Sequence, residues 1–270
     1  MILRSKHLLI VGASSGLGLE LARNLARRNC FLTLFSRKAR TLKDDQELAP
    51  FAANLSLISG DVRKPDDIER LAKTLETAAQ PLDGIIYATG VSRPDFVETP
   101  DTERAIDTIR INLEGPIRVF YRLLPLLLNR PGTFLAGFTS MAGDRGMPRA
   151  HTYSASKAGF DRYLESLRID LFDRGIHVFT IVPGYVDTPM SLQNRFPMPG
   201  IWSPGKAAEH LVHAMEQERL VIRFPWYHSL GMRLLGLLPN RWYWWLMSRQ
   251  RTMVKIDPHP GDEFSWPSES

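Results

Sequence analysis

The chain has 270 residues, 44% of them hydrophobic and 23% charged, with 19 Gly, 19 Pro and one Cys. That length suits one large α/β domain with a substantial core, and the apolar fraction and unpatterned Gly and Pro exclude a disordered or collagen-like chain. The formal charge is +5, but Arg219–Ile256 holds seven basic and no acidic residues, so the rest sums to −2 and offers no basic surface for nucleic acid.

The first eleven residues are apolar after Arg4 and Lys6. This run is too short for a secretory signal and enters a glycine loop, which makes it a first strand. No uninterrupted apolar stretch reaches about eighteen residues, so no membrane-spanning helix is expected. Cys30 lacks a partner for an internal disulfide, which points to a reducing, cytoplasmic setting.

Short β-branched or aromatic runs then alternate with helical patterns. Strands are expected at His7–Val11, Phe31–Phe35, Asn54–Ile58, Gly84–Ala88, Thr133–Phe138, His177–Val182 and Leu220–Phe224. Helices are expected at Leu17–Arg28, Pro65–Ala79, Thr102–Leu128, Thr152–Asp173 and, after the Ser203-Pro204 start signal, Gly205–Gln217. Leu17, Leu21 and Leu25, with Ala22 and Ala26, give the first helix one apolar stripe. The alternation implies right-handed βαβ units, hence an α/β fold with a doubly wound parallel sheet of about seven strands and helices on both faces. Residues 1–225 form one dinucleotide-binding catalytic domain in this reading, and residues 226–270 a C-terminal tail.

Gly12-Ala13-Ser14-Ser15-Gly16-Leu17-Gly18 joins the first strand to the first helix. Glycines allow a tight turn and a close approach to a pyrophosphate, while the helix start supplies unpaired N–H groups and a positive dipole end. The second strand ends Ser36-Arg37-Lys38. An acid there would bind the ribose 2′-hydroxyl of NAD(H); a serine followed by arginine instead suits the 2′-phosphate of NADP(H), which a carboxylate would repel.

Tyr153-Ser154-Ala155-Ser156-Lys157 places a phenol and an ammonium four residues apart, on one face of a helix. A free tyrosine, with a pKa of about 10, is a poor acid–base catalyst near neutrality. A neighbouring cation, helped by an oxidised nicotinamide, is expected to favour the phenolate and lower it. Ser140 closes the fifth strand thirteen residues earlier, at the sheet end where ligands of such folds bind.

With its G-x-x-x-G-x-G loop and Y-x-x-x-K pair in this order, residues 7–225 resemble the short-chain dehydrogenase/reductase family. The resemblance implies a Rossmann-type fold, an active NADP(H)-dependent oxidoreductase, and assembly as a homodimer or homotetramer. It implies that Gly12, Ser14, Ser15, Gly16, Leu17 and Gly18 hold the pyrophosphate, that Ser36 and Arg37 meet the adenosine ribose, and that Asp61 and Val62 meet the adenine. Ala88 and Gly90 would line the cofactor through their backbone. The chain has Tyr87-Ala88-Thr89-Gly90 where the family has Asn-Asn-Ala-Gly, so no side-chain role carries over there. Pro183, Gly184, Val186 and Thr188 would hold the nicotinamide carboxamide. Ser140 would bind the substrate carbonyl, Tyr153 would donate the proton, Lys157 would hold the nicotinamide ribose, and Asn112 would belong to the proton relay.

The stretch from Tyr185 to Trp202, rich in Pro and Met, covers the substrate pocket in this family and suits a hydrophobic ketone or aldehyde. A 3-oxoacyl-carrier-protein reductase and a non-catalytic nucleotide sensor are the alternatives; intact Ser140, Tyr153 and Lys157 speak against the sensor. His210 and His213 lack a third ligand and are assigned to a solvated helix face, with no metal site expected. Cys30 is expected as inert core. In the tail, Trp226, Tyr227, Trp242, Tyr243, Trp244 and Trp245 mingle with leucines and arginines, as two short amphipathic helices and a polar end. Residues 226–255 are expected at a membrane surface or, alternatively, against a partner subunit or the chain's own body.

Overall fold

The computed structural model describes residues 1–193 and 198–253. Seven parallel strands form one sheet: β1 His7–Val11, β2 Phe31–Ser36, β3 Leu55–Ser59, β4 Gly84–Tyr87, β5 Phe134–Phe138, β6 His177–Pro183 and β7 Val221–Phe224, ordered 3-2-1-4-5-6-7. The order reverses between β1 and β4, the switch point where the carboxyl ends of the strands leave a crevice for ligands.

Alternation along the strands divides the core in two. From β1, Leu8 and Ile10 join a cluster covered by α1 (Gly16–Ala26) and α6 (Pro204–Glu216). Leu9 and Val11 join the opposite cluster, covered by α2 (Pro65–Glu76), α4 (Gly115–Leu123) and α5 (His151–Leu171). Ser203 caps α6 by accepting from the Lys206 N–H at 3.4 Å, with Pro204 next, as the sequence signal implied. Cys30 is buried, donates to the Leu3 carbonyl at 2.9 Å, and burial pushes its thiol up to about 11.

Two expectations change. Residues 102–128 are not one regular helix: α3 (Thr102–Ile109) passes into a π turn at Arg110–Glu114, then α4, then a short 3-10 turn at Leu124–Leu126. A π turn frees backbone carbonyls from the usual ladder, and the buried Tyr87 hydroxyl donates to one of them, that of Ile111, at 2.8 Å. Gly115 makes room, since a Cβ there would lie 2.5 Å from that hydroxyl oxygen. The second change concerns His210, which is not on a solvated face. It is half-buried between the rings of Trp202 and Phe224, at 5.4 and 5.5 Å, and burial lowers its pKa. No cluster of metal-ligating residues occurs among the described residues.

After β7 come α7 (Trp226–Leu237) and α8 (Asn240–Met253), the two helices expected of the tail. They grip the body through specific groups. Tyr243 and Met247 are buried. The Arg145 guanidinium donates to the carbonyls of Gly236 and Leu238 and to Asn240 Oδ1, and lies 4.1 Å from the Tyr243 ring centre. The polar end from residue 254 lies outside the described residues, as do Phe196 and Pro197. Among those described, no helix is long and apolar enough to cross a membrane.

Candidate active site

The glycine loop is shaped by backbone crowding at the mouth of β1. Gly12 has φ +93°, and a Cβ there would meet the Thr89 nitrogen at 2.7 Å. A Cβ on Gly18 would stand 2.2 Å from the Gly12 carbonyl oxygen and 3.3 Å from Ala88 Cβ. Gly18→Ala must therefore displace the loop. A loss of roughly 1–3 kcal/mol in stability is expected from such overpacking, read from chemical denaturation, with weakened dinucleotide binding.

Ser15 precedes α1 in an extended conformation, its side chain makes no capping bond, and the first turn carries no acid. Ser14, Gly16 and Leu17 are half-buried beside it. The start of α1 thus keeps its donors and its positive end for an anion. The side chain of Thr188 lies 3.4 Å from where a Gly16 Cβ would be, which brings the loop after β6 over the glycine loop. That loop leaves β6 at Pro183; the Gly184 N–H donates to the Phe224 carbonyl at 2.7 Å, and Val186 bridges to Trp202.

At the end of β2, Ser36 Oγ is buried with no hydrogen-bond partner among the described residues, while Arg37 beside it is exposed. A buried hydroxyl without a partner calls for a ligand atom or water. Asp61 is half-buried near Arg37. Burial alone would raise its carboxyl pKa, but hydrogen bonds from Arg63 and its backbone hold it below the usual range. Val62 is buried in the core. Uncapped helix start, glycine cradle and orphan hydroxyl together fit a dinucleotide with a phosphorylated ribose.

The catalytic candidates converge on the other side of the crevice. Ser140 follows β5 in an extended conformation and accepts from the Ala142 N–H at 3.1 Å, and its hydroxyl is near enough to Tyr153 to favour the phenolate. Lys157 is buried one turn along α5; its ammonium donates to the Phe138 carbonyl at 2.8 Å and lies 5.8 Å from the Tyr153 ring centre. Gly90 packs against both neighbours: a Cβ there would be 3.3 Å from Lys157 Nζ and 3.4 Å from Asn112 Oδ1.

In the protein alone, Lys157 does not lower the Tyr153 pKa. Burial raises it, and the Ser140 hydrogen bond only partly opposes this. Burial pushes Lys157 down to about 8. The ammonium is committed to a carbonyl rather than to the phenol, and Lys157 is withdrawn from water while the Tyr153 ring is half-buried.

Asn112 is fully buried in the π turn and is spoken for on every side. Its amide N–H groups donate to the Val91 carbonyl at 2.8 Å and to Ser156 Oγ at 3.1 Å, and its oxygen accepts from the Val91 N–H at 2.8 Å. It clamps the irregular segment after Gly90 against α5. The sequence reading missed Tyr87, which anchors the π turn, and Asp95, whose carboxylate accepts from both the backbone and hydroxyl of Thr152 at 2.7 and 3.1 Å. Asp95 thereby caps the start of the helix that carries Tyr153 and Lys157. A helix capped by no residue of its own was the one available signal.

Comparison with known proteins identifies the family. A profile described as short chain dehydrogenase matches residues 6–197. An uncharacterized oxidoreductase of Myxococcus xanthus is 32% identical over 235 residues, 86% of this chain and 92% of that one. A putative ketoacyl reductase of Streptomyces coelicolor is 30% identical over 203 residues, 73% of this chain and 77% of that one. Among solved structures, a variant of actinorhodin polyketide ketoreductase with NADPH superposes with a TM-score of 0.73 at 25% identity, covering 82% of this chain and 95% of that one. A short chain dehydrogenase from Burkholderia cenocepacia in complex with NADP shares the fold, with a TM-score of 0.77 at 20% identity over 92% of this chain and 99% of that one. With the profile spanning more than half its length, the chain is an oxidoreductase of the short-chain dehydrogenase family.

Proposed function

We propose that this enzyme is an NADPH-dependent reductase of hydrophobic ketones or aldehydes. The observation that carries the reading is buried Lys157, its ammonium on the Phe138 carbonyl and 5.8 Å from the Tyr153 ring centre, with Ser140 beside it at the end of β5, in the same crevice as the glycine loop. When bound, NADPH supplies the hydride that reduces the carbonyl carbon. Ser140 donates to the carbonyl oxygen and fixes its direction, and Tyr153 delivers the proton that completes the alcohol. Lys157 serves the nicotinamide ribose and lends positive charge near Tyr153 as the phenol gives up its proton. Asn112 acts by position, holding Val91 and hence Gly90 against Lys157.

Ser36 and Arg37 take the 2′-phosphate, and the backbone of residues 12–18, with Ser14 and Ser15, takes the pyrophosphate. Asp61 and Val62 border the adenine, and Ala88 borders the cofactor through its backbone. Pro183, Gly184, Val186 and Thr188 receive the carboxamide. The half-buried Tyr185, Met190 and Met198 support an apolar substrate. The same reading makes the protein cytoplasmic and a homodimer or homotetramer, with residues 226–255 as a peripheral membrane contact. The ketoacyl reductases among the relatives favour a second substrate reading, a ketone on an acyl chain.

A panel of aldehydes and ketones of increasing apolar size, assayed with NADPH and NADH by absorbance loss, tests the proposal. Turnover with NADPH that rises with apolar size is the expected result. Equal turnover with NADH, or none on any carbonyl, overturns it.

A further inference from the structure

The outward side of α7 and α8 carries a surface that the reductase chemistry does not use. Trp226, Leu230, Leu234 and Leu237 recur at helical spacing and are 72, 49, 57 and 81% exposed. On α8, Trp242, Trp244 and Trp245 are exposed, interspersed with the exposed Arg241 and Arg249. Arg249 lies 4.0 Å from the Trp245 ring centre. Monomeric proteins rarely leave so many large apolar side chains together in water.

The charge says what covers them. Arg219–Ile256 contains no Asp or Glu, so a second copy meeting this face across a two-fold axis would set arginines against arginines with no acid from either tail to pair them. A surface of anionic headgroups over hydrocarbon answers both features. Arginines meet phosphates, tryptophans lodge at headgroup level, and leucines reach the acyl boundary.

The inward side of the same two helices holds the loops that flank the catalytic hydroxyls. The Tyr227 hydroxyl donates to the Gly200 carbonyl at 2.8 Å, and His228 Nε2 lies 2.8 Å from the Pro199 carbonyl oxygen. The Tyr243 hydroxyl donates to the Gly146 carbonyl at 2.7 Å, while Arg223 of the preceding strand β7 pairs with Asp144 and donates to Ser229 of α7 at 2.8 Å. Gly146 and Asp144 lie between Ser140 and Tyr153 in the chain. One layer of side chains therefore separates the exposed aromatic face from the loops around the site.

We propose that α7 and α8 dock the enzyme on an anionic bilayer, and that its carbonyl substrate is a lipid-borne ketone or aldehyde taken up from that bilayer. The substrate half of this inference rests on the reductase reading; the docking half does not.

The test uses full-length protein with vesicles of phosphatidylcholine, alone or with phosphatidylglycerol. Wild type is expected to cosediment with the mixed vesicles, with a blue shift in tryptophan emission, and far less with phosphatidylcholine alone. Leu230→Ser/Leu234→Ser and Arg233→Glu/Arg241→Glu alter exposed positions only. Each pair is expected to weaken partitioning by roughly tenfold or more. Turnover on a short water-soluble aldehyde should be unchanged, while turnover on a long-chain methyl ketone dissolved in the vesicles falls in step with partitioning. Absence of binding to the mixed vesicles overturns the docking surface. So does a concentration-dependent dimer, seen by sedimentation equilibrium, that these variants abolish. Unchanged turnover of the vesicle-borne ketone in variants that no longer bind overturns the uptake route. Vesicle binding without turnover of any carbonyl upholds the docking surface and defeats the reductase reading instead.

Discussion

Tyr153→Phe is expected to lower turnover by roughly 10²–10⁴-fold, the range that a positioned general acid supplies, while NADPH affinity stays within a factor of about two. The substitution removes one oxygen from a half-buried ring and leaves Lys157 on the Phe138 carbonyl. Steady-state kinetics and a fluorescence titration with NADPH separate the two effects. Near-normal turnover in the variant would place the proton donor elsewhere. The pH profile carries a second expectation. Because burial raises the Tyr153 pKa and pushes Lys157 down to about 8, the phenol stays protonated through neutrality. Reduction, which needs that proton, should hold level across neutral pH.

Arg37→Glu is expected to reverse the dinucleotide preference. The exposed guanidinium beside the buried, unpartnered Ser36 hydroxyl is the group proposed to meet the 2′-phosphate. Losing charge-assisted hydrogen bonds and adding a like charge should cost about 3 kcal/mol, or roughly a hundredfold in kcat/KM with NADPH. The new carboxylate can accept from a 2′-hydroxyl, so kcat/KM with NADH should hold or rise. Parallel measurement with both dinucleotides decides it. An equal loss with both would mean that Arg37 acts on the fold or on Asp61, not on the ribose phosphate.

What the sequence revealed and what it hid divide by the range of the interactions involved. Strand positions were legible because a strand buried on both faces is nearly apolar throughout, as Leu8–Val11 of β1 and all five residues of β5 are. The nearness of Tyr153 to Lys157 was legible because helix geometry fixes residues four apart. The π turn at Arg110–Glu114 was not: it is held by Tyr87 and Val91, more than twenty residues distant along the chain. The cap from Asp95 reaches across fifty-seven residues to Thr152. The desolvation that raises the Tyr153 pKa was not legible, because pairing can be inferred from spacing, whereas desolvation belongs to the folded interior. The grip of Arg145 on both tail helices was likewise invisible, since an arginine in a loop has no local signature of its partner.

Gly137 has a consequence for how this enzyme could change over evolutionary time. A side chain there would lie 2.5 Å from the Phe160 ring, and Phe160 in turn stands 6.1 Å from both Tyr87 and Phe120. The helix bearing Tyr153 and Lys157 is therefore seated directly on β5, with an aromatic block behind it that admits no added atom. Mutation on that side endangers the fold before it alters selectivity. The loops at Gly146 and Gly200 are instead held by single side chains, Tyr243 and Tyr227, where exchanges cost less core packing. If the proposed reductase reading holds, a descendant of this protein can acquire a new substrate by changing those loops while α5, with Tyr153 and Lys157, is inherited unaltered.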